Sequence, residues 1–161
     1  MISLLSKGNL VAILRNEEKW EILICLNESL KIERFVYEKS INRLLKELSN
    51  YYHRSIIDDK KILSEEYGIK QKVPMLIHPN HLLLFQTTSL NHPKCTIFNY
   101  FCIHKYKKIE KNTLLELCIP YKNNKIIIDE KILISCDIRT IHNQMKRCFE
   151  IDKVVKERYI F

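Results

Sequence analysis

The apolar residues of this chain come in short runs, each cut off within a few positions by charge, asparagine or proline. "NLVAIL" (9–14), "WEILICL" (20–26), "VPMLIH" (73–78) and "HLLLFQ" (81–86) have strand length rather than helix length. "RNEEK" between the first two reads as a hairpin connection, "KIERFVY" (31–37) alternates as a third strand, and "PN" (79–80) is a turn pair. No run approaches the roughly 18–20 residues that cross a bilayer. The opening "MISLLSKGNLVAIL" puts its lysine after the first apolar residues and lacks a small-residue cleavage site. It is a poor secretory signal, and a cytoplasmic protein is expected.

The period changes in two places. Ile41, Leu44, Leu45, Leu48, Tyr52 and Ile56 recur at three- and four-residue steps behind Ser40, which predicts a capped amphipathic helix over about 40–55. Ile138, Ile141, Met145, Cys148 and Phe149, then Ile151, Val154, Val155 and Tyr159, predict a C-terminal helical segment over about 138–159, as one helix or two abutting ones. Between them, "DDKKILSEEYGIKQK" (58–72) reads as an exposed connection. "TIFNYFCIHKY" (96–106) reads as one alternating strand, with Ile97, Asn99, Phe101 and Ile103 set against Phe98, Tyr100, Cys102 and His104. "TLLELCIP", "KIIID" and "KILISC" add further strands. The expected class is α+β: a β-rich central sheet, one helix after the first strands and a C-terminal helical segment, in a single domain over 1–161.

Several kinds of chemistry are excluded early. Gly8 and Gly68 are the only glycines, so no glycine-rich phosphate loop of the nucleotide-binding kind can form. The pair Asp58 and Asp59 sits in a polar stretch and makes a poor two-metal nuclease centre. Cysteines 25, 95, 102, 118, 136 and 148 contain no C-x-x-C pair; free, mostly buried thiols are expected. "HPNHLLLFQTTSLNHPKC" (78–95) holds three histidines, two prolines and a cysteine around an apolar run, open to reading as a metal site, a catalytic loop or a buried strand. Cys102 and His104 would share a strand face, but four ligands at a familiar spacing do not assemble, and no metal or cofactor is expected.

The formal net charge is +8, unevenly placed. Residues 1–93 hold 13 Lys and Arg against 11 Asp and Glu, whereas residues 94–161 hold 14 against 8. A basic second half suits a polyanionic partner, nucleic acid before membrane; a lysine-rich solvated surface is the plainer explanation.

Three ordered segments resemble the ComK family of competence transcription factors. In 72–95, Lys72, Pro74, Met75, Leu76, Ile77, Pro79, Leu84, Phe85, Thr87, Ser89, Pro93 and Cys95 fall into register with the family's central signature. "SNYYHR" (49–54) is similar to Ser-Ser-Tyr-x-Gly-Arg, and "NQMKR" (143–147) to Asn-Gln-x-x-Arg. This chain departs at Gln86 (proline in the family), His92 (arginine), His53 (glycine) and Thr96-Ile97 (Gly-Trp). The resemblance implies a transcriptional activator of DNA-uptake genes. It implies binding to paired A/T-rich boxes of duplex DNA through the minor groove, as homodimers associating into a tetramer, without catalysis. A proteolytic adaptor, MecA, is a further implied partner, through a C-terminal tail that this chain carries in shorter form. On this reading 78–95 is a buried strand with its loop exit, and Pro93 and Cys95 are structural. The alternative is a degenerate paralogue acting as a protein-interaction partner without strong DNA binding.

The candidate DNA contacts follow. Asn143 lies four residues beyond Arg139, and Lys146 and Arg147 lie three and four beyond Asn143, so the four share one helix face. Cations there can neutralise phosphates, and Arg or Asn can enter an A/T groove; Gln144 fits equally a structural hydrogen bonder. Arg54 closes the first helix, where a cation also suits the helix dipole. In "HKYKK" (104–108), Lys105 and Lys107 should point to one strand face and Lys108 to the other, and lysines blocking a sheet edge are the competing explanation. Lys94 and His92 lie in the loop where the family has its arginine. The apolar surface of Ile151, Val154, Val155, Tyr159 and Phe161 needs cover from the core or from a second copy.

Overall fold

A computed structural model describes residues 1–53 and 72–158. The fold is α+β, with about 46% of it in strands and two helices among the described residues. After a single 3-10 turn at Ile2–Ser6 come β1 (Gly8–Asn16), β2 (Lys19–Leu26), β3 (Ile32–Tyr37) and α1 (Ile41–Tyr51). Then follow β4 (Met75–His78), β5 (Leu82–Gln86), β6 (Thr96–Asn99), β7 (Ile103–Ile109), β8 (Asn112–Tyr121), β9 (Asn124–Ile134) and α2 (Ile138–Arg158). Six strands form one sheet in the order β3-β2-β1-β6-β5-β4, and β7-β8-β9 form a second. Every pairing is antiparallel.

The continuous apolar runs have a simple cause: the larger sheet is covered on both faces. Ile22, Ile24, Leu82, Leu84 and Ile97 pack with Ile41, Leu44, Leu45 and Leu48 of α1. Their neighbours Leu23, Cys25, Leu83, Phe85 and Phe98 pack on the other side with Leu115, Leu117, Ile132 and Ile134 of the smaller sheet and Ile141, Cys148 and Ile151 of α2. A strand buried on both faces has no polar positions to alternate, and β5 is buried at all five residues. Residues 78–95 are therefore a strand with its flanking turns. At the β4–β5 turn, Asn80 takes a left-handed φ of 64° after Pro79, and the His81 N–H donates to His78 O at 3.2 Å. Gly8 serves close approach: a Cβ there would meet Cys25 O at 2.5 Å.

The helix α1 starts where expected, with the Arg43 N–H donating to the Ser40 hydroxyl at 3.2 Å. It stops at Tyr51, short of the expected end near 55; Ile56 and Arg54 lie outside the described residues, as does the expected 58–72 connection up to residue 71. The stop is a left-handed residue, His53 at φ 58°, where the family resemblance has glycine. A C-terminal position of that hand is one where glycine carries no Cβ penalty.

The segment 96–106 is not one strand. Asn99 ends β6 with its side chain wholly buried. Its amide nitrogen donates to Leu10 O and His81 O, both at 2.8 Å, and its oxygen accepts from the N–H groups of Leu83 at 3.2 Å and Phe101 at 3.3 Å. These bonds replace the ladder, a 3-10 turn follows at Tyr100–Cys102, and the chain re-emerges as β7 in the smaller sheet. Cys102 and His104 consequently do not share a strand face. Of the six cysteines, all free, only Cys136 is not fully buried. Burial raises their thiol pKa values, that of Cys25 to about 11.

One continuous α2 replaces the alternatives of one or two helices. Its buried positions are Ile141, Gln144, Cys148, Ile151 and Val155. The buried face is rotated from the expected stripe: Phe149 is 54% exposed, and Gln144, outside that stripe, takes a core position. Ile151 and Val155 are covered by the protein's own core, so they offer no surface to a second copy.

Candidate nucleic-acid interface

The polar face of α2 is fixed from beneath by Gln144. Its side chain is 1% exposed, and its amide nitrogen donates to two main-chain carbonyls, Lys72 O at 2.9 Å and Gln86 O at 2.8 Å. Those carbonyls lie before β4 and at the end of β5, so one glutamine ties the helix to both strands of the hairpin. Burying an amide without partners costs about 1–3 kcal/mol per group, which makes the match of donor to acceptor decisive for where the helix sits. The acceptor on residue 86 is a main-chain oxygen, which a proline would offer equally. The departure from the family at Gln86 leaves this contact intact.

Around that anchor the candidate side chains divide by environment. Asn143 and Lys146 are exposed. Arg147 is half-buried and donates from Nη1 to Gln144 Oε1 at 3.4 Å. Arg139 is exposed, yet its charge is matched: Nη2 donates to Asp137 Oδ2 at 3.0 Å and Nε to Asp137 Oδ1 at 3.1 Å. The Arg139 main-chain N–H donates to the same Oδ1 at 2.8 Å, so Asp137 also caps the helix. The Arg139 side chain and then its N–H hold the Asp137 carboxyl down to about 2.

The cations of β7 part company. Tyr106 faces α2, its hydroxyl 2.9 Å from His142 Nδ1. Lys105 and Lys107, its neighbours in the strand, are exposed on the opposite face of the β7-β8-β9 sheet. Lys108 falls on the α2 side, where its charge acts on Asp137. The structure therefore brings Arg139, Asn143, Lys146 and Arg147 together and leaves Lys105 and Lys107 behind the sheet. Arg54 lies outside the described residues.

Lys94 is exposed in the loop 87–95, which leaves β5 at the carbonyl that Gln144 holds. The loop is tightly built. Main-chain bonds join Thr87 N to Thr96 O, His92 N to Ser89 O and Cys95 N to His92 O, each at 3.0 Å. The Lys94 N–H donates to His92 Nδ1 at 3.0 Å, which gives that ring an internal task beside any phosphate contact. Arg15 reaches across from β1 to donate to Leu90 O and His92 O, both at 3.4 Å, with its guanidinium carbon 5.4 Å from the Trp20 ring centre. Sequence reasoning passed over Arg15; no spacing rule links residue 15 to residue 90. Cys95 is fully buried, and its thiol donates to Thr88 O at 3.7 Å.

Among the described residues, no group of three or more His, Cys, Asp or Glu is placed to hold a metal ion. No helix among them is long and apolar enough to cross a membrane. Compared with known proteins, residues 10–159 match the family model described as ComK protein. No curated protein and no solved structure matches the chain.

Proposed function

From the premise that this chain belongs to the ComK family, we propose that it activates competence genes by binding A/T-rich duplex DNA through the minor groove, using the exposed face of α2. The family match supports the coarser role, that of a competence transcription factor. The observation that supports the finer reading is Gln144: this buried side chain ties α2 to two main-chain carbonyls and holds Arg147 beside it, with Asn143 and Lys146 exposed on the same helix face. Fixing the helix in place lowers the ordering cost of binding to that of the side chains alone.

In this reading Lys146 neutralises phosphate, and Arg147 and Asn143 approach the base edges, where a narrow A/T groove deepens the negative potential. Lys94, on the loop that starts from the same junction, supplies a flanking phosphate contact. The active form is a homodimer or tetramer, matching paired boxes by its own symmetry. Turnover of the activator through a proteolytic adaptor completes this reading. A gel-shift series on A/T-rich and G/C-rich duplexes, repeated with a minor-groove competitor, tests it. The expected result is preference for A/T and displacement by the competitor; equal affinity for both duplexes and no displacement would overturn it.

A further inference from the structure

Lys105 and Lys107 project from the face of the smaller sheet that α2 does not touch, and that face has a regular pattern. Two cross-strand rows run over it. In one, Lys105 lies opposite Glu116, which lies opposite Lys131; in the other, Lys107 lies opposite Leu114, which lies opposite Leu133. Lys131 and Glu116 are paired at 3.3 Å. Among the described residues, that leaves Lys105 and Lys107 as the cations of these rows with no carboxylate in ion-pair range, near Leu133, which is 54% exposed. Among the described residues β7 pairs only with β8, so its outer edge keeps main-chain donors and acceptors for a further strand.

We infer that this surface is a docking site for an acidic, extended segment of a partner protein, which adds as a strand along β7. Charge complementarity selects the occupant. Side chains of an added strand alternate between faces, so carboxylates at every second position meet Lys105 and Lys107, while main-chain hydrogen bonds along the edge supply sequence-independent affinity. Duplex DNA is the poorer occupant. Its phosphates could meet the lysines but would leave the exposed leucine and the main-chain donors and acceptors of the β7 edge without partners. An activator with its anionic nucleic-acid partner on one side of this sheet and an acidic protein segment on the other can hold both at once. The docking site stands whether or not α2 reads duplex.

The probe is a fluorescent ten-residue peptide of alternating glutamate and valine, with an alternating lysine–valine peptide as control, titrated against the full chain. Saturable binding below about 1 mM is expected for the acidic peptide alone. The double variant Lys105→Glu with Lys107→Glu should weaken it by about tenfold or more, and Lys105→Gln with Lys107→Gln by less. Lys146→Ala should leave it unchanged. Amide chemical shifts in β7 should move on peptide addition in the parent chain. Two results would each overturn the inference: no binding of the acidic peptide, or binding indifferent to the charge reversal.

Discussion

Two cationic surfaces lie on either side of the β7-β8-β9 sheet, and they are built on different principles. On the α2 side, the exposed polar residues stand on a buried glutamine that holds two main-chain carbonyls, and one of the cations, Arg139, is already matched to Asp137. On the other side, Lys105 and Lys107 rise from the outermost strand, with Glu116 and Lys131 in one cross-strand row and Leu114 and Leu133 in the other. The first surface is anchored from beneath, with one of its cations neutralised. The second also holds one ion pair, Lys131 with Glu116, but Lys105 and Lys107 stand outside it along the strand. Positioning suits recognition of a fixed lattice such as a duplex; charge on an open edge suits capture of a flexible chain.

The largest effect should come from the anchor. Gln144→Ala leaves the carbonyls of Lys72 and Gln86 without their donor and opens a cavity, at a cost of about 2–4 kcal/mol. Urea denaturation monitors it, and a loss below about 0.5 kcal/mol would mean that α2 is held by its apolar residues alone.

Next comes the neutralised cation. Asp137→Asn keeps an oxygen to cap the helix but frees Arg139, so duplex affinity should rise about two- to threefold at low salt and the gain should shrink at high salt. The same pair gives a pH signature. The Asp137 carboxyl titrates at about 2 in the folded chain, below its ordinary range. Its stabilising effect is therefore complete above about pH 4 and is lost as the pH falls toward 2. The stability difference between the parent chain and Asp137→Asn should be constant near neutrality and close over that acid window.

The smallest effect concerns the end of α1. His53→Gly relieves a left-handed side chain and should raise stability by about 0.5–1 kcal/mol, net of the entropy that glycine adds to the unfolded chain. Neither cationic surface should respond. A change in duplex affinity would link the α1 terminus to the interface and weaken the separation drawn between the two.

Much of this arrangement is legible in the sequence, and the exceptions share a cause. Strand-length apolar runs, the capped helix behind Ser40 and the free, mostly buried cysteines are local properties, and they appear where periodicity and residue type put them. Asn99 is the counterexample. Its neighbours continue the alternation expected of a strand, so the exit to a second sheet is written only in hydrogen bonds to Leu10, His81 and Leu83. Those partners are brought together by folding. The phase of α2 fails for a related reason: hydrophobicity alone prefers Phe149 to Gln144 inside, yet Gln144 meets two carbonyls there that no helical wheel contains. The split of the "HKYKK" lysines across the sheet follows from period two. That α2 packs on the Tyr106 face becomes visible only in the fold.

The salt dependence of duplex binding is the most direct measurement of the central claim, that α2 and not the β7 outer face meets DNA. The slope of log K against log salt counts phosphates neutralised, at about 0.9 per contact on duplex DNA. Lys146→Ala should lower that slope by up to about 0.9, and Arg147→Ala should in addition erode the preference for A/T over G/C. The double variant Lys105→Ala with Lys107→Ala should keep the parental slope and preference. Loss of slope in the β7 variant, with parental binding by Lys146→Ala, Asn143→Ala and Arg147→Ala, would contradict the account and move the duplex to the other side of the sheet.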